Sequence, residues 1–230
     1  VKKILFLIVC LAGCQLAALA QSKHDSSSRY PTYQGLLMCG YQGWFRAEGD
    51  DSGEGWVHYN NRGKFDAAHV HLDFWPDVSE YAKTYPTALT NQNGTTARVF
   101  SSYDQSTTDL HFKWMQQYGI DGVFVQRFFG VTRTEQSRKK NRVILGNALK
   151  ASQKYGRAIA VMYDLSGLKA SGEDCSSIIQ DWKELVDELK ITSAGNEPNL
   201  SLQSRKTARR DLGIGFSDRP TTFAVSASRS

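Results

Sequence analysis

Gly122-Val123-Phe124-Val125-Gln126 and Ala158-Ile159-Ala160-Val161-Met162-Tyr163 decide the fold. Each is a short apolar run of strand length bracketed by helical periods, the pattern of a parallel strand covered on both faces. Working outward, residues 36–41 and 98–101 form two more such runs, giving four expected strands at 36–41, 98–101, 122–126 and 158–163. Three amphipathic helices separate and follow them. The first opens on the capping-box-like Ser106-Thr107-Thr108-Asp109, places Leu110, Trp114, Met115 and Tyr118 on one face, and stops at Gly119. The second covers 138–155, with Val143, Leu145, Leu149 and Ser152 on one side and Gly156 as its stop. The third, 173–190, carries the clearest stripe: Ile178, Ile179, Trp182, Leu185, Val186 and Leu189. The alternation from residue 98 to 190 predicts an α/β fold with a parallel sheet and right-handed crossovers. Its type is the (β/α)8 TIM barrel, incomplete here. A full barrel takes about 250 residues, and only four strands precede Ile191, about the first half.

In parallel α/β folds the chemistry gathers at the carboxyl ends of the strands. Those ends carry Gln42-Gly43-Trp44-Phe45-Arg46, Gln126-Arg127-Phe128-Phe129 and Tyr163-Asp164-Leu165-Ser166-Gly167. Trp44 and Phe128 can stack on apolar ring faces, while Arg46, Gln126, Arg127 and Asp164 offer forked hydrogen bonds to hydroxyls; that combination suits a carbohydrate. The same residues also allow a purely structural account, in which Trp44 and Phe128 pack and Arg127 pairs with Asp164. Asp73 and Asp77 are expected on the pocket rim, with Trp75 and Pro76 shaping the turn between them. His69-Val70-His71 places two imidazoles on one strand face, as in barrel metal hydrolases. A zinc site would need further ligands from later strands, and the only later histidine is His111, inside the first helix. Neither a metal nor a cofactor is expected. No phosphate-binding glycine loop and no nucleophile elbow is present.

Several ordered blocks carry a resemblance. They are Met38-Cys39-Gly40-Tyr41-Gln42-Gly43-Trp44-Phe45, Phe74-Trp75-Pro76-Asp77-Val78-Ser79-Glu80-Tyr81, Phe100-Ser101-Ser102-Tyr103-Asp104, Asp121 to Phe128, and Val161-Met162-Tyr163-Asp164-Leu165-Ser166-Gly167. Together they resemble secreted bacterial proteins labelled xylosidase/arabinosidase, which are related to glycoside hydrolase families 71 and 99; the latter contains endo-α-mannosidases. The resemblance spans residues 33 to 196 and implies a (β/α)8 barrel hydrolysing O-glycosidic bonds of an oligo- or polysaccharide at its strand carboxyl ends. Within such a site the strand ends and rim offer Asp164 as a candidate catalytic carboxylate with no assigned partner, and Trp44, Arg46, Asp73, Trp75, Asp77, Gln126, Arg127 and Tyr163 as substrate-binding candidates. The acid/base pair of such enzymes is expected on later strands, so this copy is expected to be truncated and without turnover. A surface glycan-binding protein without catalysis and a metal-dependent hydrolase are the other two classes.

Charge and flanking segments fix the setting. The chain has 230 residues and a net charge of +5. Six basic and two acidic residues fall in 198–230, and Lys2 and Lys3 lie at the start, which leaves −1 for residues 4–197. A neutral body argues against a nucleic-acid partner. Residues 1–20 read as an export signal, with Ala18-Leu19-Ala20 as one cleavage site and the lipobox Leu11-Ala12-Gly13-Cys14 as the alternative. The expected address is therefore periplasmic or extracellular, with membrane attachment only through a lipid on Cys14. Residues 21–30 read as a tether, 31–197 as the barrel part, and 198–230 as an aberrant or disordered basic tail. A compensated reading-frame shift across 199–213 accounts for a polar stretch where a strand is due; a basic loop is the alternative. Cys39 and Cys175 are expected to be free thiols rather than a bridge.

Overall fold

The computed structural model describes Tyr30, residues 33–169, Gly172, residues 174–189 and the backbone of Thr222–Ala224. The export signal and nearly all of the tether and tail lie outside the described residues. The element order is β1 (Met38–Tyr41), β2 (Tyr85–Thr90), β3 (Thr96–Val99), α1 (Gln105–Gln117), β4 (Gly122–Phe128), α2 (Phe129–Thr132), α3 (Glu135–Tyr155), β5 (Ala158–Asp164), α4 (Ser176–Leu189) and β6 (Thr222–Ala224).

β1, β4 and β5 form a parallel sheet with Tyr41 beside Val125 and Phe128 beside Asp164. β6 adds antiparallel to β5, so the sheet order is β1-β4-β5-β6 and the barrel is not closed. Strand pleating divides this sheet cleanly. Tyr41, Val123, Val125, Ile159, Val161 and Tyr163 face the helices, in one core with Phe112, Met115, Ile144, Leu145, Ala148, Leu149, Trp182 and Leu185. Gln42, Phe124, Gln126, Phe128, Met162 and Asp164 take the opposite side, which no helix covers among the described residues. The sheet needs a glycine at Gly122, where a Cβ would collide with the Ala158 carbonyl oxygen.

One expected strand is elsewhere. Residues 98–101 do not join the parallel sheet: Thr96–Val99 is β3, paired antiparallel with β2 in a hairpin. Its turn is made by Asn91-Gln92-Asn93-Gly94, with Gly94 at φ 82°, a left-handed conformation that glycine adopts without strain. Among the described residues three parallel strands are therefore present instead of four. The hairpin belongs to a lobe that grows from the carboxyl end of β1, with its own core of Ala47, Tyr59, Phe65, Tyr85 and Val99. Asp50 ties the lobe together by accepting from the Ala47 and Ser52 amides and from Ser101 Oγ. Burial would raise its carboxyl pKa, but the bonds from Ser101, Ser52 and Ala47 outweigh burial and hold it low.

The helices start and stop for identifiable reasons. α1 lacks the expected capping box because it begins at Gln105, which puts Ser106 inside the first turn; Asp104 takes the N-cap position, where its carboxylate caps no amide and is engaged by Lys83 Nζ at 3.0 Å and Tyr85 Oη at 2.7 Å. α1 still ends just before Gly119, which takes φ 75°. Its buried face is Thr107, Thr108, Leu110, Phe112 and Met115, while Tyr118 is 78% exposed. α3 begins at Glu135, three residues before the expected start, because Thr134 Oγ1 caps the Ser137 amide; Gly156 ends it at φ 61°. α4 begins at Ser176, where Asp174 accepts from the Ser176 amide. Cys39 and Cys175 are free.

Candidate functional site

Three strand ends meet on the open face. Gln42 follows β1, one step beyond the Tyr41–Val125 pairing, and so lies beside Gln126. Gln42 Nε2 donates to Gln126 Oε1 at 3.0 Å, and Gln126 Nε2 donates to Asp164 Oδ2. The other carboxylate oxygen of Asp164 accepts from the Ser166 amide at 2.7 Å, so the strand-end turn holds the carboxylate in place. Gln42 is exposed, Gln126 half-buried and Asp164 buried, which makes the line a graded polar strip running from solvent into the sheet.

An aromatic wall stands beside it. Phe128 lies two residues beyond Gln126 on the same face, and the Trp44 ring meets it edge-on with centroids 4.8 Å apart. The other contact of Trp44 is a stack on His58 at 4.7 Å. Two backbone conformations make this possible. Gly43 at φ 60° turns the chain out of β1, and a Cβ there would meet Ile144 Cγ2 at 2.5 Å. His58 itself adopts φ 63°, unusual for a residue with a Cβ. Burial lowers the His58 pKa, and the positive charge of Arg46 and the nearby His71 lower it further. A hollow of about 180 Å³ opens alongside, bordered by Gly40, Gln42, Trp44, Phe45, Phe100 and His111. An apolar cavity of about 150 Å³ accommodates a benzene-sized ring, so this one has room for a single six-membered ring.

His111 joins the lobe to the parallel sheet. The Tyr41 hydroxyl lies 3.1 Å from its Nδ1 and the Tyr81 hydroxyl 2.7 Å from its Nε2. Its ring also stacks on Trp114 and meets Phe100 edge-on. Burial pushes the His111 pKa down to about 4 and the Tyr41 pKa up to about 12.

The remaining expected site residues are placed elsewhere. Arg127 points to the helix side, where its Nε and Nη2 fork onto Asp181 of α4 at 2.9 and 2.6 Å. Its partner is therefore Asp181 and not Asp164. Tyr163, on the same face, donates to Asp181 at 2.6 Å, and burial followed by that carboxylate pushes its phenol pKa well up. Arg46 is buried in the lobe against Glu54 and donates to the Gly43 and Phe45 carbonyls. Asp73, Trp75 and Asp77 do not border the hollow. Asp73 is exposed, and Asp77 accepts from the Ser79 amide. Trp75 stacks parallel to Phe65 and donates to the Arg98 carbonyl. His69 is paired with Asp66 at 2.7 Å, and no group of three or more potential metal ligands exists among the described residues. Thus Trp44, Phe128, Gln126 and Asp164 come together, while Arg46, Arg127, Tyr163, Asp73, Trp75 and Asp77 do not join them.

Sequence reasoning misses two members. Gln42 sits at the end of β1 in register with Gln126, a position readable from strand order alone. His111 reads in sequence as a helix residue and no more, although a histidine on the apolar face of α1 requires hydrogen-bond partners in the core.

No family model and no curated protein sequence matches the chain. Among solved structures it is similar to the GH99 endo-alpha-mannosidase from Bacteroides thetaiotaomicron, with a TM-score of 0.36 and 14% identity, covering 67% of this chain and 40% of that one. The chain spans less than half of that structure's length, and a likeness at this level fixes neither substrate nor chemistry.

Proposed function

We propose that the open face is a carbohydrate site, the strand-end part of a glycoside-hydrolase-type barrel acting on an oligo- or polysaccharide. The observation that carries this is the Gln42–Gln126–Asp164 line, whose outer end, Gln42, borders a ring-sized aromatic hollow. Sugars present apolar C–H faces and a rim of hydroxyls, and amides and carboxylates beside aromatic rings match both. The ordered blocks that resemble xylosidase/arabinosidase-like proteins point to the same class, with xylan or α-mannan as the candidate polymers. In the hydrolase reading alone, Asp164 is the candidate carboxylate.

Glycan binding without turnover is the reading favoured for this chain by itself. Glycoside hydrolysis generally uses two carboxylates; among the described residues, Asp164 is the one hydrogen-bonded into the line, and no second carboxylate joins it. Calorimetric titration with mannotriose and xylotriose separates the cases. Saturable binding of at least one of them is expected, weakened about tenfold by Gln126→Met, with no release of reducing ends. Reducing-end release by the purified chain would instead establish catalysis, and absence of binding to both sugars would remove the carbohydrate assignment.

A further inference from the structure

The hydrogen-bond line has a direction, and the direction determines what it offers a ligand. The Ser166 amide can only donate, and a carboxylate only accepts. Asp164 therefore takes the Ser166 N–H on Oδ1 and demands an N–H from Gln126 on Oδ2. Gln126 must then turn its carbonyl oxygen toward Gln42, and Gln42 must answer with its own N–H. At the solvent end of the line this leaves Gln42 Oε1 facing outward as an acceptor, on an exposed side chain beside the hollow.

We propose that Gln42 is the ligand-contacting residue of this line, accepting a hydrogen bond from a ligand hydroxyl, and that Asp164 is a positioning residue that sets the polarity of Gln42 through Gln126. The identity of the ligand rests on the carbohydrate site proposed above; the polarity does not. Asp164→Asn reverses the line. The Ser166 amide still needs an acceptor, so the substituted amide gives it Oδ1 and turns Nδ2 toward Gln126. Gln126 and Gln42 then flip in turn, and Gln42 presents an N–H outward in place of its oxygen. A merely structural carboxylate, holding only the strand-end turn, would leave Gln42 as it was.

Two measurements on the full chain test this. In the ligand-free protein, side-chain amide exchange by NMR should show one Gln42 Nε2 proton protected in the native chain and exposed in Asp164→Asn; the same exchange in both overturns the polarity. The second uses mannotriose and derivatives with a single hydroxyl replaced by fluorine, which accepts but cannot donate. One derivative should bind the native chain about tenfold more weakly than mannotriose and bind Asp164→Asn about as well as mannotriose does. Equal penalties in both proteins, or no derivative distinguished by the native chain, would refute the contact. Should Asp164→Asn fail to fold, Gln42→Ala at the exposed end serves instead: it should bind that derivative and mannotriose alike, and an unchanged preference refutes the proposal. Failure of mannotriose to bind, with the amide reversal intact, would strike the carbohydrate reading and the ligand contact while leaving the polarity standing.

Discussion

Gln126 and Arg127 are neighbours on β4 and face opposite ways. Arg127 is 2% exposed and locked with Asp181 and Tyr163 between sheet and helices; Gln126 stands half-buried on the open face beside solvent. The helix side of the sheet is closed in both senses, with apolar residues packed and charges paired. Arg138 and Arg142 continue it, engaging Glu184 of α4, whose pKa falls to about 2, chiefly through the Arg138 hydrogen bond. The open side is polar at its strand ends, aromatic at its edge and uncovered by helices among the described residues. Two adjacent side chains thus differ in role because pleating sends them to different surroundings. One holds α4 to the sheet, and the other is available to a ligand.

That contrast predicts unequal losses. Arg127→Met leaves Asp181 buried with only the Tyr163 hydroxyl, and stability should fall by about 3–5 kcal/mol in denaturant unfolding. Equal stability of variant and parent would mean that the ion pair does not anchor α4. The seam between lobe and sheet should respond to pH. His111 has an ordinary value of about 6.5 and a folded value of about 4, so between those limits the folded chain binds fewer protons than the unfolded one. Stability should therefore be unaffected by this group above pH 6.5, decline by about 3 kcal/mol as pH falls toward 4, and level off below. In His111→Gln that decline should vanish, as read from melting temperature against pH; an unchanged slope would assign it to other groups. The smallest effect belongs to the open face. Gln126→Met takes the protein donor from one oxygen of the buried Asp164 carboxylate while the other keeps the Ser166 amide, so the cost should be about 1–2 kcal/mol. A loss as large as that of Arg127→Met would show that both faces are core.

Much of the helix side is legible from periodicity. Val123, Val125, Ile159 and Val161 read as strands, and the Trp182–Leu185 stripe as the helix over them, because burial on a regular element leaves a regular trace. The lobe is not legible, because residues 44–84 are held by isolated bridges, an Asp50 anchor and ring contacts that follow no period. Asn93-Gly94 is the available sign that residues 98–101 close a hairpin and do not enter the parallel sheet. For the site, alternation along β4 and β5 already puts Arg127 and Tyr163 with the apolar positions and Gln126 and Asp164 against them. What hides their roles is Asp181, a buried acid within an otherwise apolar stripe, whose claim on both side chains only the folded geometry reveals.

A crystal structure of the chain with mannotriose or xylotriose bound decides where the sugar sits. A sugar ring is expected in the Trp44–Phe100 hollow with a hydroxyl on Gln42. A ring seated instead on the Phe74–Asp77 segment of the lobe would contradict it.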